Sequence, residues 1–190
     1  IGNPIEHSMS PTLHNYWIKK NNIDAVYNKK KLDVSGLENL IKEVKEKKID
    51  GINVTVPFKN SIIPLLDKLS NEAKKTQSVN TIYLKDKMVV GHNTDIEGFE
   101  LAIKNINYDV NGKKVLLLGA GGVSPSIIVA LNNMKAKKIF LSNRTLVKAE
   151  NLKKNFNEVE IIKWGTFPDF DMIINATSLG LNSDDSIDLD

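Results

Sequence analysis

A glycine-rich turn joins a continuous apolar strand to a helix near the middle of the chain. Residues 114–123 read K-V-L-L-L-G-A-G-G-V, and helix and strand patterns keep alternating as far as M-I-I-N-A-T at residues 172–177. Such a turn lets the backbone approach a pyrophosphate, and the free N–H groups of the helix N-terminus then face the anion. This order of elements predicts an α/β fold with one βαβαβ half of a doubly wound, Rossmann-like sheet.

The glycine loop departs from the G-x-G-x-x-G pattern at one position. Ser124 stands where the third glycine or alanine is usual, and Pro125 follows it. The proline is tolerated because the first helical turn has N–H groups without partners. A tight strand-to-helix turn that binds no nucleotide is the alternative interpretation. No G-K-[ST] follows the glycines, so the loop is not a Walker P-loop.

The only arginine of the chain lies at the end of the next predicted strand. Of the 26 Lys and Arg residues, Arg144 alone is an arginine, and it stands in S-N-R-T. NAD-binding sites usually carry an acid about 20 residues after the glycine loop, whereas an arginine there accommodates the 2′-phosphate of NADP. A guanidinium binds phosphate through two parallel hydrogen bonds, which lysine cannot do. We therefore expect NADP as the cofactor, with Asn143, Thr145 and Lys148 beside Arg144. The alternative is that Thr145 caps a helix and Arg144 is a surface residue.

The first half of the chain also alternates helix and strand patterns, which favours a mostly parallel sheet. The predicted elements are a helix at residues 11–20 capped by Ser10, a strand at Val26–Tyr27, a helix capped by Ser35, a strand at 49–56, a helix at 61–69 and a hairpin at 79–91. Asn93 or Thr94 is expected to cap the helix that follows. We place one domain at residues 1–97 and a second, nucleotide-binding domain at residues 98–190.

Polar side chains at the end of a buried strand indicate a ligand site in the first half. In N-V-T-V-P-F-K, Asn53 and Thr55 share one face of the strand, while Val54 and Val56 fill the other. Lys59 then lies beyond the carboxyl end of the strand, where ligands of open α/β sheets bind. An exposed edge strand with Lys59 in solvent is the alternative, since proline is compatible with an edge.

Composition argues against several classes of function. The chain has no cysteine, so disulfides, thiolate zinc sites and cysteine nucleophiles are excluded. Its three histidines are scattered, and no metal site is expected. The net charge of +3 comes from lysines without interleaved aromatic residues, so nucleic-acid binding is not expected. No apolar run approaches the roughly 20 residues that span a bilayer. We expect a cytoplasmic protein, monomeric or homodimeric, that acts on a small molecule.

Seven short motifs occur in the order found in one enzyme family. They are I-G-N-P-I-x-H-S-x-S-P-x-x-H-N, G-x-N-V-T-V-P-F-K, V-N-T, H-N-T-D-x-x-G-F, G-A-G-G, N-R-T and N-A-T-S. Through them the chain resembles the shikimate dehydrogenases over nearly all of its 190 residues. The resemblance implies a reversible, NADPH-dependent reduction of 3-dehydroshikimate to shikimate in the biosynthesis of aromatic amino acids.

The resemblance also implies roles for individual residues. Lys59 and Asp95 would be the catalytic pair. Ser8 and Ser10 would bind the substrate carboxylate, with Ser10 serving also as the helix cap. The ring hydroxyls would be held by Asn53, Thr55, Asn80 and Asp95. Three segments would hold the cofactor: Gly119, Ala120, Gly121, Gly122 and Val123; Asn143, Arg144, Thr145 and Lys148; and Asn175, Ala176, Thr177 and Ser178. For the last segment, a simple turn at a strand end is an equal alternative.

The chain departs from the family pattern in three places. Residues 123–126 replace small and basic residues after the glycines, and Q-S-V-N-T replaces the commoner G-A-V-N-T. Family chains continue beyond the position of Asp190 with further strands and a helix, so we expect the C-terminal part of the second domain to be missing. Two alternatives remain, a quinate or dual-specificity relative that uses NAD and a non-catalytic, ligand-binding regulator of the same fold.

Overall fold

The computed structural model describes residues 1–180, and residues 181–190 of the predicted second domain lie outside the described residues. The chain divides into two compact units. The first unit comprises Ile1–Lys74 and Val79–His92, and the second unit comprises Lys75–Ser78 and the chain from Asn93 onward. Among the described residues, no helix has the length and apolar character needed to cross a membrane.

A four-stranded sheet forms the centre of the first unit. Up to His92 the helices and strands are α1 (Ser10–Lys20), α2 (Leu37–Lys45), β1 (Gly51–Asn53), α3 (Phe58–Ser61), β2 (Lys68–Leu69), α4 (Asn71–Thr76), β3 (Thr81–Lys85) and β4 (Met88–His92), with 3-10 turns at Val34–Gly36 and Ile63–Leu65. The strand order is β1-β3-β4-β2. β3 pairs with β1 and with β4 in antiparallel fashion, and β4 pairs with β2 in parallel.

The predicted hairpin is confirmed, but the prediction of a mostly parallel sheet was wrong for the first unit. β3 and β4 are joined by Asp86 and Lys87, whose φ angles are 52° and 64°. Two consecutive residues at positive φ match the twist of a tight hairpin, and this hairpin makes the β3–β4 pair antiparallel, while β1 adds a second antiparallel pair with β3.

Several elements of the first unit differ from the predictions. Val26–Tyr27 is not a strand, because the Asn15 side chain takes the place of a neighbouring strand and pairs with the Tyr27 backbone. The predicted strand at 49–56 is regular only in β1, and Val56 is 59% exposed rather than buried. The predicted helix at 61–69 is instead the end of α3, a 3-10 turn and β2. Ser35 lies within a 3-10 turn and does not cap α2.

The core of the first unit follows the predicted helical stripe. α2 buries Leu37, Leu40, Ile41 and Val44. These side chains form one apolar cluster with residues of the sheet, including Ile82 and Val89. Apolar residues at helical spacing thus fix which face of α2 turns inward.

The second unit contains one parallel sheet with helices. Its elements are α5 (Asp95–Asn105), β5 (Lys114–Leu118), α6 (Ser124–Asn133), β6 (Lys138–Ser142), α7 (Leu146–Lys153), β7 (Glu160–Ile162) and β8 (Met172–Asn175). The strand order is β7-β6-β5-β8, and every pair is parallel. This confirms the predicted Rossmann-like half. The carboxyl ends of β5, β6 and β8 meet at one edge, which positions the glycine loop beside the segments that follow β6 and β8.

Candidate functional site

The glycine loop follows β5 and packs on neighbouring backbone. Gly119 has a φ of +105°, and a Cβ added there would lie 2.9 Å from the carbonyl group of Ala176. The Gly119 N–H donates to the Ser142 carbonyl at 2.8 Å, and the Ala176 N–H donates to the Leu118 carbonyl at 2.8 Å. Both the left-handed conformation and the close approach require glycine at this position.

Ser124 closes the loop on itself. Its side chain is fully buried, and its hydroxyl donates to the Gly119 carbonyl at 2.9 Å while accepting from the Gly121 N–H at 3.0 Å. The neighbouring Ala120 N–H donates to Asn143 Oδ1 at 3.0 Å. Ser124, which breaks the glycine pattern, therefore provides a hydrogen-bond partner for one backbone N–H and one backbone carbonyl of the loop. A glycine in its place would leave both without a side-chain partner.

A cavity of about 250 Å³ opens beside the glycine loop. It is lined by Gly119, Ala120, Gly121, Asn143, Arg144, Thr145, Lys148, Trp164, Ala176, Thr177, Ser178 and Leu179. The structure thus brings together the three predicted cofactor segments, and it places two cations, Arg144 and Lys148, in one wall. Sequence reasoning missed Trp164 and Leu179, since neither stands in a recognisable motif. Aromatic character in the loop between β7 and β8 was the only available signal for Trp164.

Three of the predicted cofactor residues do not line this cavity. The Gly122 carbonyl accepts a hydrogen bond from Ser78 at 3.2 Å, and Val123 is the residue that precedes α6. Asn175 organises the loop after β8: its Oδ1 accepts from the N–H and hydroxyl of Thr177, at 2.9 and 2.7 Å, and its Nδ2 donates to the Leu179 carbonyl. Asn175 therefore shapes the segment whose other members reach the cavity.

Asp95 stands at the start of α5, where a buried asparagine holds it. Thr94 is the capping residue by position, yet the Asp95 N–H donates to Asn93 Oδ1 at 2.9 Å. Asn93 is 1% exposed, and its Nδ2 donates to the Ser126 hydroxyl at 3.0 Å and to the Ser78 carbonyl at 2.9 Å. Since Ser126 lies in the first turn of α6, these bonds connect the start of α5 to the helix that follows the glycine loop.

Asn53 and Asn80 of the first unit meet through a residue that sequence reasoning missed. Asn53 Nδ2 donates to Thr81 Oγ1 at 3.2 Å, and the Thr81 hydroxyl donates to Asn80 Oδ1 at 2.9 Å. Asn80 is 8% exposed, so its amide is fixed within the unit. Thr81 belongs to V-N-T, and its β-branched side chain gave no signal beyond that of an ordinary strand residue.

Ser8 and Ser10 stand together at the start of α1. The prediction that Ser10 caps the helix was wrong, because α1 begins at Ser10 itself and Met9 precedes it without a capping side chain. The Ser8 hydroxyl instead accepts a bond from the Ser10 N–H at 3.3 Å. The two hydroxyls therefore lie at the N-terminal end of a helix, where an anion is favoured.

Thr55 and Lys59 follow β1. The Thr55 N–H donates to the Ile1 carbonyl at 2.9 Å, and a Cβ on Gly2 would lie 2.5 Å from the Thr55 methyl group. Lys59 is half-buried in the first turn of α3, and its carbonyl accepts from the Val79 N–H at 2.8 Å. Lys59 belongs to the first unit and Asp95 to the second, and their pairing stays a prediction.

Comparisons with known proteins agree with the fold of both units. One family model, described as the shikimate dehydrogenase substrate binding domain, matches residues 1–82. A second, described as shikimate / quinate 5-dehydrogenase, matches residues 100–181.

Individual relatives match nearly the whole chain. The shikimate dehydrogenase (NADP(+)) of Pelagibacter ubique is 59% identical over 189 residues, which cover 100% of this chain and 71% of the relative. The crystal structure of shikimate dehydrogenase from Aquifex aeolicus has a TM-score of 0.88 and 38% identity, covering 97% of this chain and 70% of that one. Shikimate 5-dehydrogenase from Thermus thermophilus, solved in complex with NADP(H) and shikimate, has a TM-score of 0.86 and 29% identity over 95% of this chain and 67% of that one. The chain belongs to the shikimate dehydrogenase family.

Proposed function

We propose that this protein catalyses the reversible, NADPH-dependent reduction of 3-dehydroshikimate to shikimate. The observation that carries the proposal is the cavity of the second unit, which is lined by Gly119 and Gly121 of the glycine loop and by the cations Arg144 and Lys148. The N-terminal end of α6, which follows the loop, suits the pyrophosphate of NADP, and a guanidinium suits its 2′-phosphate. The NADP(H) and shikimate bound by the Thermus relative support both ligands for this chain.

The cofactor is held in this proposal by the three segments that meet at the cavity. Residues 119–123 lie against the pyrophosphate, and Asn143–Thr145 with Lys148 surround the 2′-phosphate. Residues 175–178 lie beside the nicotinamide. Bound NADPH supplies a hydride to the C3 carbonyl carbon of the substrate.

The substrate is held by polar groups of the predicted domain at residues 1–97. Ser8 and Ser10 bind the carboxylate at the start of α1. The ring hydroxyls are bound by Asn53, Thr55, Asn80 and Asp95. Several neutral donors and acceptors match the hydroxyl groups of a polyhydroxylated ring, and the two serines provide one binding position for its single carboxylate.

Lys59 and Asp95 form the catalytic pair in this proposal. The ammonium of Lys59 stabilises or protonates the alkoxide oxygen that forms at C3, and Asp95 orients Lys59 and binds the neighbouring hydroxyl. In the reverse direction the same pair takes up the hydroxyl proton. A cytoplasmic location and a monomeric or homodimeric state stay predictions of the sequence.

The test is the reduction of NADP+ by the purified protein with shikimate, compared with Lys59→Ala. General acid–base groups contribute about 10²- to 10⁴-fold, so Lys59→Ala is expected to lower kcat by that factor while shikimate still binds in calorimetry. Lys19→Ala, which removes an exposed lysine of α1, serves as the matched control and keeps the parent rate.

Two outcomes would contradict the proposal. Binding of shikimate without turnover in the parent protein would indicate a regulator of the same fold. Turnover with NAD+ in preference to NADP+ would indicate the NAD-dependent quinate or dual-specificity relative.

A further inference from the structure

Tyr27 is held in an irregular segment by two neighbouring residues of α1. Asn15 Nδ2 donates to the Tyr27 carbonyl at 2.8 Å, and the Tyr27 N–H donates to Asn15 Oδ1 at 2.8 Å. The rings of His14 and Tyr27 are stacked, with centroids 4.3 Å apart and planes 7° apart. His14 and Asn15 close the motif S-P-x-x-H-N, so this motif fixes both the backbone and the ring of Tyr27.

The Tyr27 hydroxyl lies between two residues of the proposed substrate site. It donates to Asn53 Oδ1 at 2.9 Å. Burial raises the pKa of Tyr27, and a side-chain hydrogen bond with Ser10 partly offsets that rise. Since its ordinary pKa is 10.0, Tyr27 keeps its proton at neutral pH and remains a donor to Asn53.

The surroundings of Asn53 fix which way its amide points. Asn53 Nδ2 faces the Asn80 carbonyl at 3.4 Å and Thr81 Oγ1 at 3.2 Å. A carbonyl oxygen only accepts, so a flipped amide would set two acceptors against each other at Asn80. With Nδ2 directed there, Asn53 Oδ1 points to Tyr27, and its second lone pair is the group that the amide can offer to a ligand.

We propose that Tyr27 is a positioning residue of the substrate site. Its hydroxyl holds the Asn53 amide so that Oδ1 presents an acceptor to a donating ring hydroxyl of the substrate. The inference rests on the proposed function, in which Asn53 binds that hydroxyl. Tyr27 acts through Asn53, because the phenol proton is already directed at Asn53 Oδ1.

Tyr27→Phe tests the proposal, because phenylalanine keeps the ring stacking and the backbone bonds to Asn15 while it removes the hydroxyl. The loss of one hydrogen bond is expected to raise the KM for shikimate about three- to tenfold. Since the hydroxyl acts through Asn53 in this proposal, kcat and the KM for NADP+ are expected to stay within about twofold of the parent values. Tyr16→Phe, which removes the hydroxyl of an exposed tyrosine on α1, is the matched control and leaves every constant unchanged.

A double-mutant cycle separates positioning from direct contact. In an Asn53→Ala background, adding Tyr27→Phe is expected to leave the KM for shikimate unchanged, since the residue through which Tyr27 acts is gone. An undiminished effect of Tyr27→Phe in that background would overturn the proposal. So would an unchanged KM in the single variant, or a parallel loss of NADP+ affinity.

The same variants distinguish this proposal from the proposed function. If the parent protein binds shikimate but does not turn it over, the reaction fails as a proposal. The Tyr27 proposal is then judged by calorimetry, where Tyr27→Phe must weaken shikimate binding only when Asn53 is present. If the parent protein binds no shikimate, both proposals are overturned.

Discussion

The two units place polar groups for ligands by different means. In the second unit the candidate site, here called the backbone site, is built around a close approach of two backbone segments, where parallel strands end and a glycine loop packs on the segment after β8; Arg144 and Lys148 line the same cavity. In the first unit the candidate site is made of side chains from distant parts of the chain. Asn15 holds the backbone of Tyr27, and side chains bond to one another in the order Tyr27, Asn53, Thr81 and Asn80. A backbone site is sensitive to added atoms, whereas a side-chain site is sensitive to each amide and hydroxyl that it loses.

Among the variants that test this difference between the two units, Gly119→Ala is expected to have the largest effect. The added Cβ would lie 2.9 Å from backbone atoms of Ala176, at a φ of +105° that L side chains avoid. We expect a loss of about 1–3 kcal/mol in the free energy of unfolding and at least tenfold weaker NADP+ binding. Denaturant unfolding and calorimetric titration measure the two effects, and shikimate binding should be retained.

Gly98→Ala is the matched control for that variant. A Cβ at Gly98 in α5 meets nothing within 4 Å, so alanine should leave NADP+ binding unchanged and stabilise the helix by up to about 1 kcal/mol. Equal behaviour of the two glycine variants would contradict the view that the loop is a backbone site.

Arg144→Ala tests whether the site of the second unit binds the 2′-phosphate of NADP. Hydrogen bonds to charged groups contribute about 1.5–3 kcal/mol, so the KM for NADP+ should rise roughly 10- to 100-fold. The constants for NAD+, which lacks the 2′-phosphate, should not change. Arg144→Lys should fall between the parent and Arg144→Ala, since lysine keeps the charge but not the planar pair of donors. Equal losses of affinity for NADP+ and NAD+ would show that Arg144 does not bind the 2′-phosphate.

Asn15→Ala addresses the side-chain site of the first unit. The change removes the two hydrogen bonds to the Tyr27 backbone, and we expect a loss of about 1–3 kcal/mol in the free energy of unfolding together with a higher KM for shikimate. Steady-state kinetics should show no change in the KM for NADP+. Asn39 is an exposed asparagine of α2 that bonds to Glu43, and Asn39→Ala is the control. It should change neither the free energy of unfolding nor the KM for shikimate. A rise in both KM values would mean that Asn15 has a general structural role.

The second unit was largely predictable because its signals are local. An apolar strand, glycines and a helix within 20 residues fix the loop, and the lone Arg144 indicates the cofactor that the family names bear out. The parallel order of its strands then follows from the alternation of elements. Trp164 escaped prediction because it reaches the cavity only through the path of an irregular loop.

The first unit was less predictable because its geometry depends on contacts between distant residues. Nothing local to Val26–Tyr27 reveals that Asn15 occupies the place of a partner strand. Hydrophobic periodicity located α2 and the hairpin, but it extended β1 beyond Asn53, where Thr55 instead bonds to Ile1. The motifs therefore indicated which residues to consider in this unit, whereas their mutual support needed the folded chain.

The smallest expected effect concerns the pH dependence of stability in the first unit. The pKa of Glu6 is lowered from 4.5 to about 2, chiefly by the hydrogen bond with Lys31, whose Nζ lies 2.8 Å from Glu6 Oε1, and further by backbone hydrogen bonds at Glu6 and Ile5. A carboxyl group with a lowered folded pKa stabilises the fold above its unfolded pKa, and that contribution is lost as the pH falls from about 4.5 to about 2. Lys31→Met should make denaturation midpoints fall less steeply across that range. An unchanged slope would contradict the pairing.

Separate titration of each ligand into Asn53→Ala and Arg144→Ala tests the division between the two units most directly. The account predicts that Asn53→Ala loses affinity for shikimate and keeps that for NADP+, while Arg144→Ala does the reverse. If each variant weakens both ligands to the same degree, the assignment of shikimate to the side-chain site and of NADP+ to the backbone site is wrong.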